Sequence, residues 1–141
     1  MKDGKYAIPD ETTSQEDKEL LASIISEGSQ EMSQLIQLCW NNGIIISGPC
    51  SGIKEFHKNP PVALHFGFIA QASIIDPLYN SLQTALPNIN HLYRAENDLV
   101  RYDITYMLNN NKLSAQQSNE IFFIIKNQLQ MELDNLKAIK H

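Results

Sequence analysis

Over residues 62–70 bulky apolar side chains recur at every second position. Val62, Leu64, Phe66 and Phe68 make one row; Ala63, His65, Gly67 and Ile69 make a leaner one. A period of two belongs to an extended strand, whose side chains point alternately to opposite faces. A strand with one greasy face has to bury it, so this stretch commits the chain to a sheet covered on one side. Residues 99–108 repeat the pattern, with Val100, Tyr102, Ile104, Tyr106 and Leu108 on one face and Arg101, Asp103 and Thr105 on the other. Residues 89–96 read as its hairpin partner, joined at Glu96-Asn97-Asp98. Ile44-Ile45-Ile46 is short and β-branched, a buried strand.

The remaining apolar residues recur at helical spacing. Ser14 with Asp17 opens a first helix whose Leu20, Leu21, Ile24 and Ile25 are expected to face inward. Gly28 ends it, and Ser29 caps a second helix carrying Met32, Leu35, Ile36, Cys39 and Trp40. Asn41-Asn42-Gly43 closes that one, because Asn and Gly best tolerate left-handed backbone. Asp76-Pro77 reads as the start of a third helix, with Asp76 at the cap; Leu78, Leu82 and either Ala85 or Leu86 form its buried side, and Pro87 stops it. Ser114 with Gln117 forms a capping box ahead of a helix over residues 115–140, about 39 Å long, whose stripe is Ile121, Phe122, Ile125, Leu129, Leu133 and Leu136. The predicted order is α-α-β-β-α-β-β-α. The fold class is α+β: a single-layer, four-stranded, mainly antiparallel sheet with helices packed on one face. Residues 1–13 form a polar N-terminal arm, and residues 14–141 one domain.

Composition narrows the partners. The chain has 141 residues, 43% of them hydrophobic, enough for one core. A net charge of −5, from 11 basic and 16 acidic residues, argues against a nucleic-acid binder. Two cysteines make no disulfide framework, no apolar run spans a membrane, and no apolar stretch follows the N-terminus as in a signal peptide. A cytoplasmic setting is the expectation. Phosphate-loop and dinucleotide glycine patterns are absent, as is the paired spacing of a zinc site, so no cofactor or metal is expected.

Three places can carry chemistry. Cys50 sits in the Gly- and Pro-rich loop that follows the first strand, beside Ser51 and Gly52, where backbone N–H groups can stabilise a thiolate. His57 or His65 would be its base and Asp76 or Asp103 the orienting group; the weightier alternative is a small buried side chain under a loop. His65, between Ala63 and Gly67, either lines a groove or, as the commoner explanation, sits where a helix approaches the sheet or faces solvent. Arg94 and Arg101, with Tyr93 and His91 nearby, form an anion or acidic-peptide site, unless Arg101 simply pairs with Asp103 on a solvated face.

The stretch from Gly28-Ser29 through Cys39-Trp40-Asn41-Asn42-Gly43-Ile44 to Cys50-Ser51-Gly52 resembles a small uncharacterised bacterial α+β domain, as do Tyr6-Ala7-Ile8-Pro9 and the aromatic strand at Phe66. That family's loop reads Cys-x-Gly-His, and Ile53 holds the histidine's place here. The resemblance implies an α+β fold and a bacterial origin, and the missing histidine weakens a Cys–His site in this chain. The resulting expectation is an accessory or regulatory binding protein that recognises another protein or a small ligand. Its surfaces would be the Cys50 loop with the face around His65, and the C-terminal helix, which is also the route to a homodimer; the acidic arm would order on a basic partner. The rival is a cysteine-dependent enzyme built on Cys50; a bacterial effector secreted into a host is a third reading.

Overall fold

A computed structural model describes residues 5–6, 14–26, 29–47, 58, 62–86, 89–107 and 112–139. Its elements are β1 (Lys5–Tyr6), α1 (Gln15–Ser26), α2 (Gln30–Asn41), β2 (Ile45–Ser47), β3 (Ala63–Gln71), α3 (Ala72–Ala85), β4 (Ile89–Glu96), β5 (Leu99–Met107) and α4 (Ala115–Ile139). The four expected strands form an antiparallel sheet, and the two-residue β1 adds a fifth by pairing Lys5 with Ser47 and Tyr6 with Ile46. Part of the N-terminal arm thus covers a strand edge that would otherwise present unpaired backbone groups. The order across the sheet is β1-β2-β3-β5-β4.

The alternation in the sequence becomes the two faces of this sheet. Leu64, Phe66, Phe68 and Ala70 of β3 are buried, and so are Val100, Tyr102 and Ile104 of β5. The register sets Phe66 opposite Ile104 and Phe68 opposite Tyr102, so the apolar rows coincide across the strands. Above them lie the helices. α4 runs between α2 and α3, while α1 lies against α2. Ile121, Phe122, Ile125, Leu129 and Leu133 of α4 are all buried, and Phe122 meets Phe66 edge-to-face with centroids 5.3 Å apart.

The helix ends follow the local chemistry. Ser14 Oγ accepts from the Asp17 N–H, and Ser29 Oγ from the Met32 N–H at the start of α2. Ser114 and Gln117 make the full reciprocal box: Gln117 N–H donates to Ser114 Oγ at 3.1 Å, and Ser114 N–H to Gln117 Oε1 at 2.9 Å. At the end of α2 the Gly43 N–H reaches the Trp40 carbonyl and the Ile44 N–H reaches the Cys39 carbonyl. With Gly43 at φ +70°, this is a Schellman closure. Because Ile44 is spent on it, β2 starts one residue later than the β-branched run suggests.

Two expectations fail. α3 does not start at Asp76-Pro77. β3 runs into it with no loop, Gln71 stands at the cap, and Pro77 lies inside the helix. Pro77 offers no N–H to the Ser73 carbonyl, but Ser73 is exposed, where water can replace the bond. The earlier start is driven by Ile75, fully buried along with Leu78 and Leu82 on the same side. The second failure is α1. Leu20, Leu21 and Ile24 are 61%, 41% and 64% exposed, and among the described side chains of α1 the fully buried one is Ala22; the burial of Ile25 lies outside the described residues.

Candidate functional site

β4 and β5 form a two-residue hairpin with Glu96 opposite Leu99 and Asn97 in the left-handed region at φ 57°. That closure fixes which β4 side chains point where. Ile89, His91, Tyr93 and Ala95 share the helix-covered face with Tyr106, Ile104, Tyr102 and Val100, while Asn90, Leu92 and Arg94 fall on the outer face with Thr105, Asp103 and Arg101. The expected grouping of Arg94 and Arg101 with Tyr93 and His91 is therefore overturned: the aromatic residues and the arginines lie on opposite sides of one strand pair.

On the helix-covered side, α3 supplies Asp76, Tyr79 and Asn80. Their i, i+3, i+4 spacing places all three on one flank of the helix. Together with Tyr93 they line a cleft of about 400 Å³. Tyr79 is its hub, meeting His91, Tyr93 and Tyr102 edge-to-face at 5.2, 5.8 and 5.4 Å. The Tyr93 hydroxyl donates to Asp76 Oδ1 at 2.6 Å. That bond to a carboxylate, with some burial, raises the Tyr93 phenol above its ordinary value, so it stays a donor. Behind Tyr79, burial raises the Tyr102 phenol well beyond the usual range and lowers the half-buried His91 below 6.5. The Tyr102 hydroxyl and Nδ1 of His91 are hydrogen-bonded to each other.

This arrangement offers two aromatic rings, a carboxylate with one oxygen committed and one free, and an amide. No lysine or arginine lines it. The cleft is in the size range of small-ligand sites and is built to hold an apolar or cationic group. A larger hollow of about 600 Å³ lies by the first turns of α2 and α4, lined by Glu31, Glu120, Asn119 and Phe123 among others. There the Asn119 carbonyl already accepts from Ser29 Oγ at 2.6 Å. The Asp76–Tyr79–Tyr93 cleft is the better site.

The residues singled out from sequence fare unequally. Cys50, Ser51, Gly52 and His57 lie outside the described residues. His65 is exposed on the outer face, its Nδ1 3.1 Å from Thr105 Oγ1. Its exposure fits the solvent-facing reading. Neither proposed orienting carboxylate attends it: Asp76 holds Tyr93, and Asp103 Oδ2 accepts from Arg101 Nε at 3.1 Å. Arg94 and Arg101 do stand directly opposite each other, as the hairpin register implied, but Arg101 is spent on Asp103. Among the described residues no group of three His, Cys, Asp or Glu side chains could hold a metal ion.

Tyr79, Asn80 and Tyr102 were missed as site residues. The signal that could have found the α3 pair was the Asp76–Tyr79–Asn80 spacing, which reading Asp76 as a cap obscured. Among the described residues no helix is long and apolar enough to cross a membrane. Comparison of the chain with family models, with curated proteins and with solved structures gives no match.

Proposed function

We propose that this chain is a small bacterial accessory protein, working in the cytoplasm, whose task is to bind another protein or a small ligand. The observation that supports it is the Asp76–Tyr79–Asn80–Tyr93 cleft at the margin of the sheet. Exposed tyrosines around a polar anchor are the composition of binding surfaces, because each supplies a large rigid ring and a hydroxyl at small entropic cost. Tyr93 and Asp76 hold each other in place, so the cleft is formed before anything enters it. The resemblance at residues 28–52 supports the bacterial origin.

A homodimer through α4 would use Phe123 and Met131, the large apolar side chains this helix leaves exposed. Its leucine stripe is consumed by the chain's own core.

Two-dimensional ¹H–¹⁵N NMR of the full chain against a library of neutral, cationic and anionic fragments tests the cleft. Resonances of Asp76, Tyr79, Asn80 and Tyr93 are expected to move together, and Tyr79→Ala to abolish the response by about tenfold or more in affinity. Shifts confined to other surfaces, unaffected by Tyr79→Ala, would refute this reading.

A further inference from the structure

We infer that the β4 edge takes an extended segment of a partner protein as an added strand, with a lysine or arginine of that segment seated between Tyr79, Tyr93 and Asp76. The inference rests on the binding role proposed above and names the partner's chemistry.

β4 ends the order of described strands and pairs only with β5. In a two-residue hairpin the closing pair, here Glu96 and Leu99, is hydrogen-bonded, and bonded pairs alternate with unbonded ones along the ladder. Arg94, Leu92 and Asn90 therefore spend their backbone groups on β5. Ala95, Tyr93, His91 and Ile89 direct theirs outward. The edge is eight residues long and contains no proline, the residue that most often blocks such an edge. It has the backbone pattern that recognises an extended peptide.

The cleft lies beside this edge, on the helix-covered side of Tyr93. A strand added about 4.8 Å beyond β4 would alternate its side chains as β4 does. Those that share Tyr93's face enter the cleft, where they meet the Tyr79 and Tyr93 rings and the free oxygen of Asp76. A cation gains from both the rings and the carboxylate. The flanking side chains fall on the outer face beside Arg94, which favours acidic residues there. A second copy of this chain pairing through its own β4 does not satisfy the cleft. Its helix-facing residues are Ile89, His91, Tyr93 and Ala95, with no lysine or arginine among them, and Arg94 points the other way.

A displayed library of random nonapeptides, panned on the full-length chain with Asp76→Asn as counter-selection, tests the inference. The recovered peptides are expected to share a lysine or arginine flanked by strand-forming residues. A synthetic peptide of recovered sequence should bind Asp76→Asn about tenfold more weakly than the unmodified chain, and its analogue with a neutral residue in place of the cation should lose as much. Amide exchange should slow at His91, Tyr93 and Ala95 when it binds. Recovery of no peptide, of peptides lacking a basic residue, or of peptides that protect amides elsewhere would overturn it. If peptides without a basic residue bind and are lost on Tyr79→Ala, the cation assignment falls while the cleft stands as a binding site. If no peptide is recovered and fragments leave the cleft resonances unmoved, both fall together.

Discussion

His91 shows how one side chain links the site to the stability of the fold. In the folded chain partial burial disfavours its charged form, so it gains a proton less readily than in the unfolded chain. The unfolded state then binds more protons as pH falls through 6.5, and stability declines over that interval until the folded ring is also protonated. We expect the melting temperature to fall between pH 7 and pH 5, with part of the fall removed in His91→Gln, whose amide can still hydrogen-bond Tyr102. An unchanged profile in the variant would show that His91 stays outside the coupling. Cys39 illustrates the opposite fate. It is fully buried in α2, and burial pushes its thiol far above the ordinary range, so it serves packing.

At the scale of the element, α1 is the instructive case. Hydrophobic spacing marked Leu20, Leu21, Ile24 and Ile25 as its inward face, yet Leu20, Leu21 and Ile24 are exposed while Ala22 is fully buried. Period alone identifies a helix and an apolar side; it does not say whether a neighbour is there to cover that side. Ile24→Lys is accordingly expected to change stability by less than about 0.5 kcal/mol. Ala22→Leu should cost about 1–3 kcal/mol by overpacking. Urea unfolding midpoints of the two variants decide it, and a larger loss at Ile24 would mean that this face is covered in solution. α3 carries the complementary lesson. Asp76-Pro77 has the local chemistry of a helix start, but three-dimensional burial of Ile75 extends the helix upstream, and the Asp76 side chain is free to bind Tyr93.

For the whole molecule, the decisive contact joins the two layers. Phe122 of α4 stands edge-on to Phe66 of β3 at the centre of the core, and removing it would leave a cavity under the helix that spans the sheet. Phe122→Ala is expected to cost about 3–5 kcal/mol, read from chemical unfolding with both far- and near-ultraviolet circular dichroism. Loss of less than about 1 kcal/mol would mean that the layers are held elsewhere. The same assembly leaves the opposite face of the sheet without a described helix. On it His65 and Arg94 are exposed, and the paired Arg101 and Asp103 are partly so.

Most of the elements were legible in the chain because their causes are local. Alternation at 62–70 and 99–108 sorted side chains onto two faces, Ser14, Ser29 and Ser114 capped helices through bonds three residues away, and Gly43 closed α2 through its own left-handed backbone. What lay beyond reach depended on contacts remote in sequence. Strand order places β5 between β3 and β4, and only the assembled sheet makes β4 an edge. The cleft needs Asp76, Tyr79 and Asn80 from one element and Tyr93 from another. No spacing rule brings those together, since helix and strand meet through the packing of α3 on β3 and β5. Propensity, capping and periodicity act over a few residues, so they were enough to specify an α+β chain with a one-sided sheet and capped helices. The tertiary structure alone decided which strand stays open, which apolar stripe stays exposed and where a site forms, because burial is settled by the competition of all elements for the same core.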